Sequence, residues 1–85
     1  GTPMGAWLKK ELAPLLRRVL APDVVQARGL FRQSVVDRLV SDHENNRVDG
    51  TDALIALMNL EVWSRIYLDR RDPADVADEL KSYVA

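Results

Sequence analysis

Between Ala53 and Leu68, the residues Leu54, Ile55, Leu57, Met58, Leu60, Val62, Trp63, Ile66, Tyr67 and Leu68 are spaced to cover nearly the whole circumference of a helix. A helix that is apolar all round is stable in water only when other elements pack against most of its sides. This segment constrains everything else, because the rest of an 85-residue chain must be arranged around it. No stretch alternates apolar and polar residues long enough for a strand, so the surrounding elements are expected to be helices. The expected fold is all-α: a small orthogonal bundle of four to five helices with a central apolar helix near residues 50–69, forming one domain over residues 1–85. Trp63, on that helix, is expected in the core, where Trp63→Ala would cost about 3–5 kcal/mol.

Local signals divide the remainder. Thr2 and Pro3 are suited to cap and open a first helix. Trp7, Leu8, Leu12, Leu15, Leu16, Val19 and Leu20 then recur at helical steps, and Pro14 predicts a kink or break near Leu12–Ala13. Ala21-Pro22 ends that run. A short helix is expected from Asp23 to Ala27, closed by Gly29 in the left-handed conformation. Val35, Val36, Leu39 and Val40 form the stripe of a further amphipathic helix reaching His43. Residues 45–50 are turn-rich, and Asp49 is placed to cap the central helix, with Asp52 near its positive end. Asp72-Pro73 restarts the chain into a last helix with Val76, Leu80 and Tyr83 or Val84 on one face.

The composition excludes several chemistries. There is no cysteine and one histidine, so disulfides, cysteine nucleophiles and common zinc sites are out. At 47% hydrophobic the chain is too apolar to be disordered, and no run approaches the roughly 18 apolar residues of a membrane span. Phosphate-loop, dinucleotide, nucleophile-elbow and zincin motifs are all missing. His43 with Asp42 and Glu44 suggests a metal or acid–base cluster, but neighbours on a helix diverge, so His43 is read as structural or helix-terminal. Asp72, Asp75, Asp78 and Glu79 are read as acids favoured in a first helical turn rather than as cation ligands. Glu61 lies in the most apolar helix and needs a partner, either Arg65 one turn on or a basic residue of the first helix. The chain is thus expected to contain no catalytic, cofactor-binding or metal residue of its own.

Charge is uneven: residues 1–42 sum to +3 and residues 43–85 to −4. Self-complementary packing is the favoured explanation. A basic surface formed by Arg17, Arg18, Arg28 and Arg32 is the alternative, which would make a free-standing interaction or DNA-binding module with helix-turn-helix-like spacing around Gly29. The sequence pI of about 5.7 speaks against nucleic acid.

Taken in order, Gly1-Thr2-Pro3, Trp7-Leu8, Leu12, Gly29-Leu30-Phe31, His43, Arg47 with Asp49, and Leu60-Glu61 with Trp63 and Arg65 form a recognisable series. It resembles the carboxyl-terminal end of glutamine-hydrolysing, class B asparagine synthetases and their relatives, over residues 1 to about 68. Departures from the family pattern are Arg32-Gln33 in place of an acidic cap or proline and Asn45-Asn46 in place of a glycine. The resemblance implies a cytoplasmic parent ligase with an amino-terminal glutaminase domain and a second domain that adenylates aspartate with ATP and magnesium. This chain would be its non-catalytic helical tail. Its implied partner is the remainder of the synthetase domain, with a homo-oligomeric contact also allowed, and neither nucleic acid nor membrane is expected. Relatives that close β-lactam rings or cyclise peptides would share the same tail.

Overall fold

The structure, a computed structural model, describes residues 3–84. They form an all-α fold of six helical segments: α1 (Pro3–Lys9), α2 (Ala13–Val19), α3 (Pro22–Arg28), α4 (Gln33–Glu44), α5 (Thr51–Tyr67) and α6 (Pro73–Val84). The proposed cap at Thr2 lies outside the described residues.

The kink or break expected near Leu12–Ala13 is a full break that separates α1 from α2. Pro14 has no N–H to donate to the Lys10 carbonyl, so the backbone breaks into a turn in which Leu12 N donates to Trp7 O (2.7 Å) and Ala13 N to Lys10 O (3.2 Å). Pro14 then falls in the first turn of α2, where no such donor is needed. Counting α1 and α2 as one interrupted helix gives the five of the expected bundle. Gly29 closes α3 at φ 73°, ψ 12°, with its N–H on Val25 O. At the start of α5, Asp49 accepts the Thr51 N–H at 3.1 Å. Asp72 does the same for Ala74 at 2.7 Å and opens α6.

Leu8, Leu16, Val19, Leu20, Val25, Val36 and Leu54 form the buried core, to which α1 to α5 all contribute. Helix α6 lies across α2 and α5 and buries Val76. Helix α5 is central in the sense expected, touching α1, α2, α4 and α6. It is not covered all round. The molecule measures 36 × 27 × 17 Å, and with helices about 10–12 Å across including side chains its thinnest dimension is under two full helices. One side of α5 therefore has to face outward.

Which side does so corrects the sequence reading. The inner seam of α5 is Thr51, Leu54, Met58, Glu61 and Arg65, and of these all but the partly covered Met58 are buried. The outer seam is Ala53, Ala56, Leu60, Trp63 and Tyr67. Trp63 is 48% exposed and Tyr67 64%, so Trp63 is not a core residue. Trp7, expected on the buried face of the first helix, is likewise half exposed.

Candidate functional site

The charged residues of the inner seam organise one end of the fold. The Glu61 carboxylate accepts Arg28 Nε at 2.9 Å, Arg28 Nη2 at 3.0 Å and Arg65 Nε at 2.8 Å. Arg28, at the last position of α3, turns its remaining donors to Asp69 through two contacts of 2.9 Å. Arg65 Nη1 donates to Glu79 at 2.7 Å and to the Tyr83 hydroxyl at 3.1 Å, both on α6. Arg71 completes the set with a paired contact to Glu79, each bond 2.9 Å. Arg28, Arg65 and Arg71 thus balance Glu61, Asp69 and Glu79 in charge. This is how two buried ions are tolerated, since a buried charge is stable only when paired and hydrogen-bonded.

The acidities follow from these contacts. Burial pushes the Glu61 carboxyl up, but hydrogen bonds from Arg28 and then Arg65 outweigh it and hold the group below the usual carboxylate range. The Arg28 hydrogen bond lowers Asp69, and that of Arg71 lowers Glu79. Arg28 is raised in turn by its bonds to Glu61 and Asp69. Arg65 partnering Glu61 was legible as a pair one turn apart. Arg28, on a helix far away in sequence, was not the first-helix partner expected.

His43 holds the opposite end together. Its ring is 1% exposed; Nδ1 accepts the Gly50 N–H at 3.0 Å and Nε2 donates to Gly5 O at 3.1 Å. That pattern assigns the proton to Nε2 in a neutral ring. Both nitrogens are committed to the backbone, and His43 is structural, joining α1, α4 and the turn before α5. Asp42 pairs with Arg47 and Glu44 with Arg17, so neither joins it. Asp72 caps, Glu79 pairs, and Asp75 and Asp78 stand exposed. Among the described residues no three His, Asp or Glu side chains are grouped to hold a metal ion. Arg18 lies over the Tyr83 ring, 4.6 Å from its centre. None of the described helices is long and apolar enough to cross a membrane.

A second surface has a different chemistry. Helices α4 and α5 diverge to leave an open groove whose walls include Phe31, Val35 and Leu39 on one side and Ala53, Ala56 and Leu60 on the other. Trp63 and Tyr67 extend the α5 wall, with ring centres 5.3 Å apart and tilted by 34°. Monomer surfaces seldom leave this much contiguous apolar area without a use for it.

Residues 1–65 match the family model described as asparagine synthase. No curated protein and no solved structure matches the chain.

Proposed function

The chain belongs to the asparagine synthase family, and from that membership we propose that it is the carboxyl-terminal helical part of an ATP-dependent, glutamine-hydrolysing amide ligase that converts aspartate to asparagine. Its own role in this reading is structural. The observation that carries the role is that the buried charged and polar groups are all engaged within the chain. Glu61, Arg65 and Arg28 satisfy one another, His43 gives both nitrogens to the backbone, and no buried side-chain nitrogen or oxygen among the described residues lacks a partner.

Magnesium and ATP, which the family implies for the parent, do not fit the residues present here. Of the arginines that might meet phosphates, Arg17 and Arg28 already contact carboxylates at 2.6 to 2.9 Å, Arg18 lies over the Tyr83 ring and the exposed Arg32 stands alone, while no carboxylate group converges on a cation position among the described residues. In this reading the reacting groups belong to the remainder of the parent domain, which is also the principal partner.

Aspartate-dependent ATP–pyrophosphate exchange tests the reading. The chain alone with magnesium and ATP should show none, whereas the parent should show it. Exchange by the chain alone would overturn the structural role, and a parent without exchange would overturn the ligase reading.

A further inference from the structure

Helix α6 is held to the fold by different means from the other helices. The buried core cluster is drawn from residues 8–54; of α6 only Val76 is buried, while Leu80 and Tyr83 lie partly covered against the core from outside. The rest of its hold is polar and passes through Glu79. That carboxylate sits in a seat of two guanidinium groups: Oε1 accepts Arg65 Nη1 at 2.7 Å and Arg71 Nη1 at 2.9 Å, and Oε2 accepts Arg71 Nη2 at 2.9 Å. Both halves of the seat are fixed to α5. Arg65 is oriented from behind by Glu61, which takes its Nε at 2.8 Å. The Arg71 backbone N–H donates to the Arg65 carbonyl at 3.1 Å, and the Asp69 N–H between them donates to Ser64 O at 2.9 Å. Asp72, next along the chain, instead caps α6. A pivot at Asp72-Pro73 therefore lifts α6 and leaves both arginines in place.

We propose that α6 is a strap that opens as one unit from a body of α1 to α5, and that the Arg65–Arg71 seat beneath it is a binding site for a carboxylate ligand, filled in the closed state by Glu79 of the same chain. The charges set the ligand class. With α6 docked, Arg28, Arg65 and Arg71 face Glu61, Asp69 and Glu79; with α6 lifted they face Glu61 and Asp69 alone, which leaves one positive charge unmatched. The parallel donors of Arg71 form a fork that fits a planar carboxylate and not a spherical ion. Separability follows from the attachment. Segments with few buried apolar contacts open below the free energy of global unfolding. A 12-residue helix stripped of its packing is marginal in water, so release and unwinding of α6 form a single event. The strap also covers Arg65 on its open side, since the Tyr83 hydroxyl accepts from the same Nη1 at 3.1 Å.

Native-state hydrogen exchange of the whole chain, followed amide by amide by NMR at fixed pH in low urea, tests both halves. Residues 77–83 should exchange through one shared opening, about tenfold or more populated than the opening that releases residues 57–64 of α5, and with a smaller urea slope because less surface is exposed. Val25→Ala removes two carbons from a buried core side chain on α3 and should speed exchange in α5 about tenfold while leaving α6 unchanged. Sodium acetate should raise the ratio of α6 to α5 exchange several-fold over sodium chloride at the same concentration, because a ligand of the open form shifts the equilibrium toward it. Arg71→Gln should abolish that difference. If α6 and α5 share one opening with equal urea slopes, or if Val25→Ala speeds both alike, the chain is a single cooperative unit and the strap is refuted. Equal ratios in acetate and chloride, or an acetate effect that survives Arg71→Gln, refute the carboxylate site.

Discussion

Replacing Glu61 by glutamine isolates the charge of the inner seam from its shape. The side chain keeps its length and one carbonyl oxygen, but the other oxygen, which now accepts at 2.8 to 3.0 Å from a guanidinium, becomes an amide that can only donate. At least one charge-assisted hydrogen bond is lost, and a donor is set against a donor. Removing one member of a buried ion pair usually costs about 3–5 kcal/mol because its partner is stranded. Here neither arginine is stranded fully, since Arg28 retains Asp69 and Arg65 retains Glu79 and Tyr83. The expected loss is therefore about 2–3 kcal/mol, a large share of the roughly 4–13 kcal/mol that a chain of 85 residues holds in total. Urea unfolding followed by circular dichroism should show a lower midpoint at unchanged slope. The loss should persist in about 0.5 M salt, because the pair is shielded from ions. A change below about 0.5 kcal/mol, or one that salt abolishes, would place Glu61 among ordinary surface pairs and refute the reasoning.

Acid should destabilise the fold through the same groups. The carboxyls of Glu61, Asp69, Glu79 and Asp49 are all held below their usual range, so their contribution is complete above the unfolded carboxylate value of about 4 and fades as pH falls through it. The melting temperature should be level from neutral pH to about 5 and drop steeply below about 4; a rise on acidification would contradict the network. His43→Leu leaves the Gly50 N–H and the Gly5 carbonyl without their partner and should cost about 2–4 kcal/mol, with faster hydrogen exchange at the Gly50 amide as the local signature. Gly29→Ala should cost about 1 kcal/mol by thermal melt although a Cβ there meets nothing within 4 Å, because the backbone sits at φ +73°.

Helix boundaries were legible wherever a residue dictates its own backbone. Pro14, Pro22, Gly29 and the Asp72-Pro73 pair mark starts and stops that the structure reproduces, because their constraints act within a turn. The rotation of α5 was not legible. A helix apolar on every side gives no preferred inward face, so the choice passes to the charged minority. Glu61 and Arg65 must face protein to be neutralised, and the partner that fixes them, Arg28, is brought close only by the fold of α3 against α4 and the body. Trp63 and Tyr67 are turned outward as a result, although their hydrophobicity alone predicts the reverse. The structural role of His43 could be read from its divergent neighbours, whereas its two backbone partners, Gly5 and Gly50, could not, since neither carries a side-chain signal.

Similarity to the family ends at Arg65, yet the Arg65 side chain reaches past that limit to Glu79 and Tyr83 on α6. The end of the family match and the end of the packed unit are therefore different places along this chain. A domain trimmed to its matched portion would keep the Arg65 guanidinium while discarding two of its acceptors. Helix α6 is fastened through a residue of the family-matched segment, so a chain cut before Pro73 needs another acceptor for the Arg65 guanidinium.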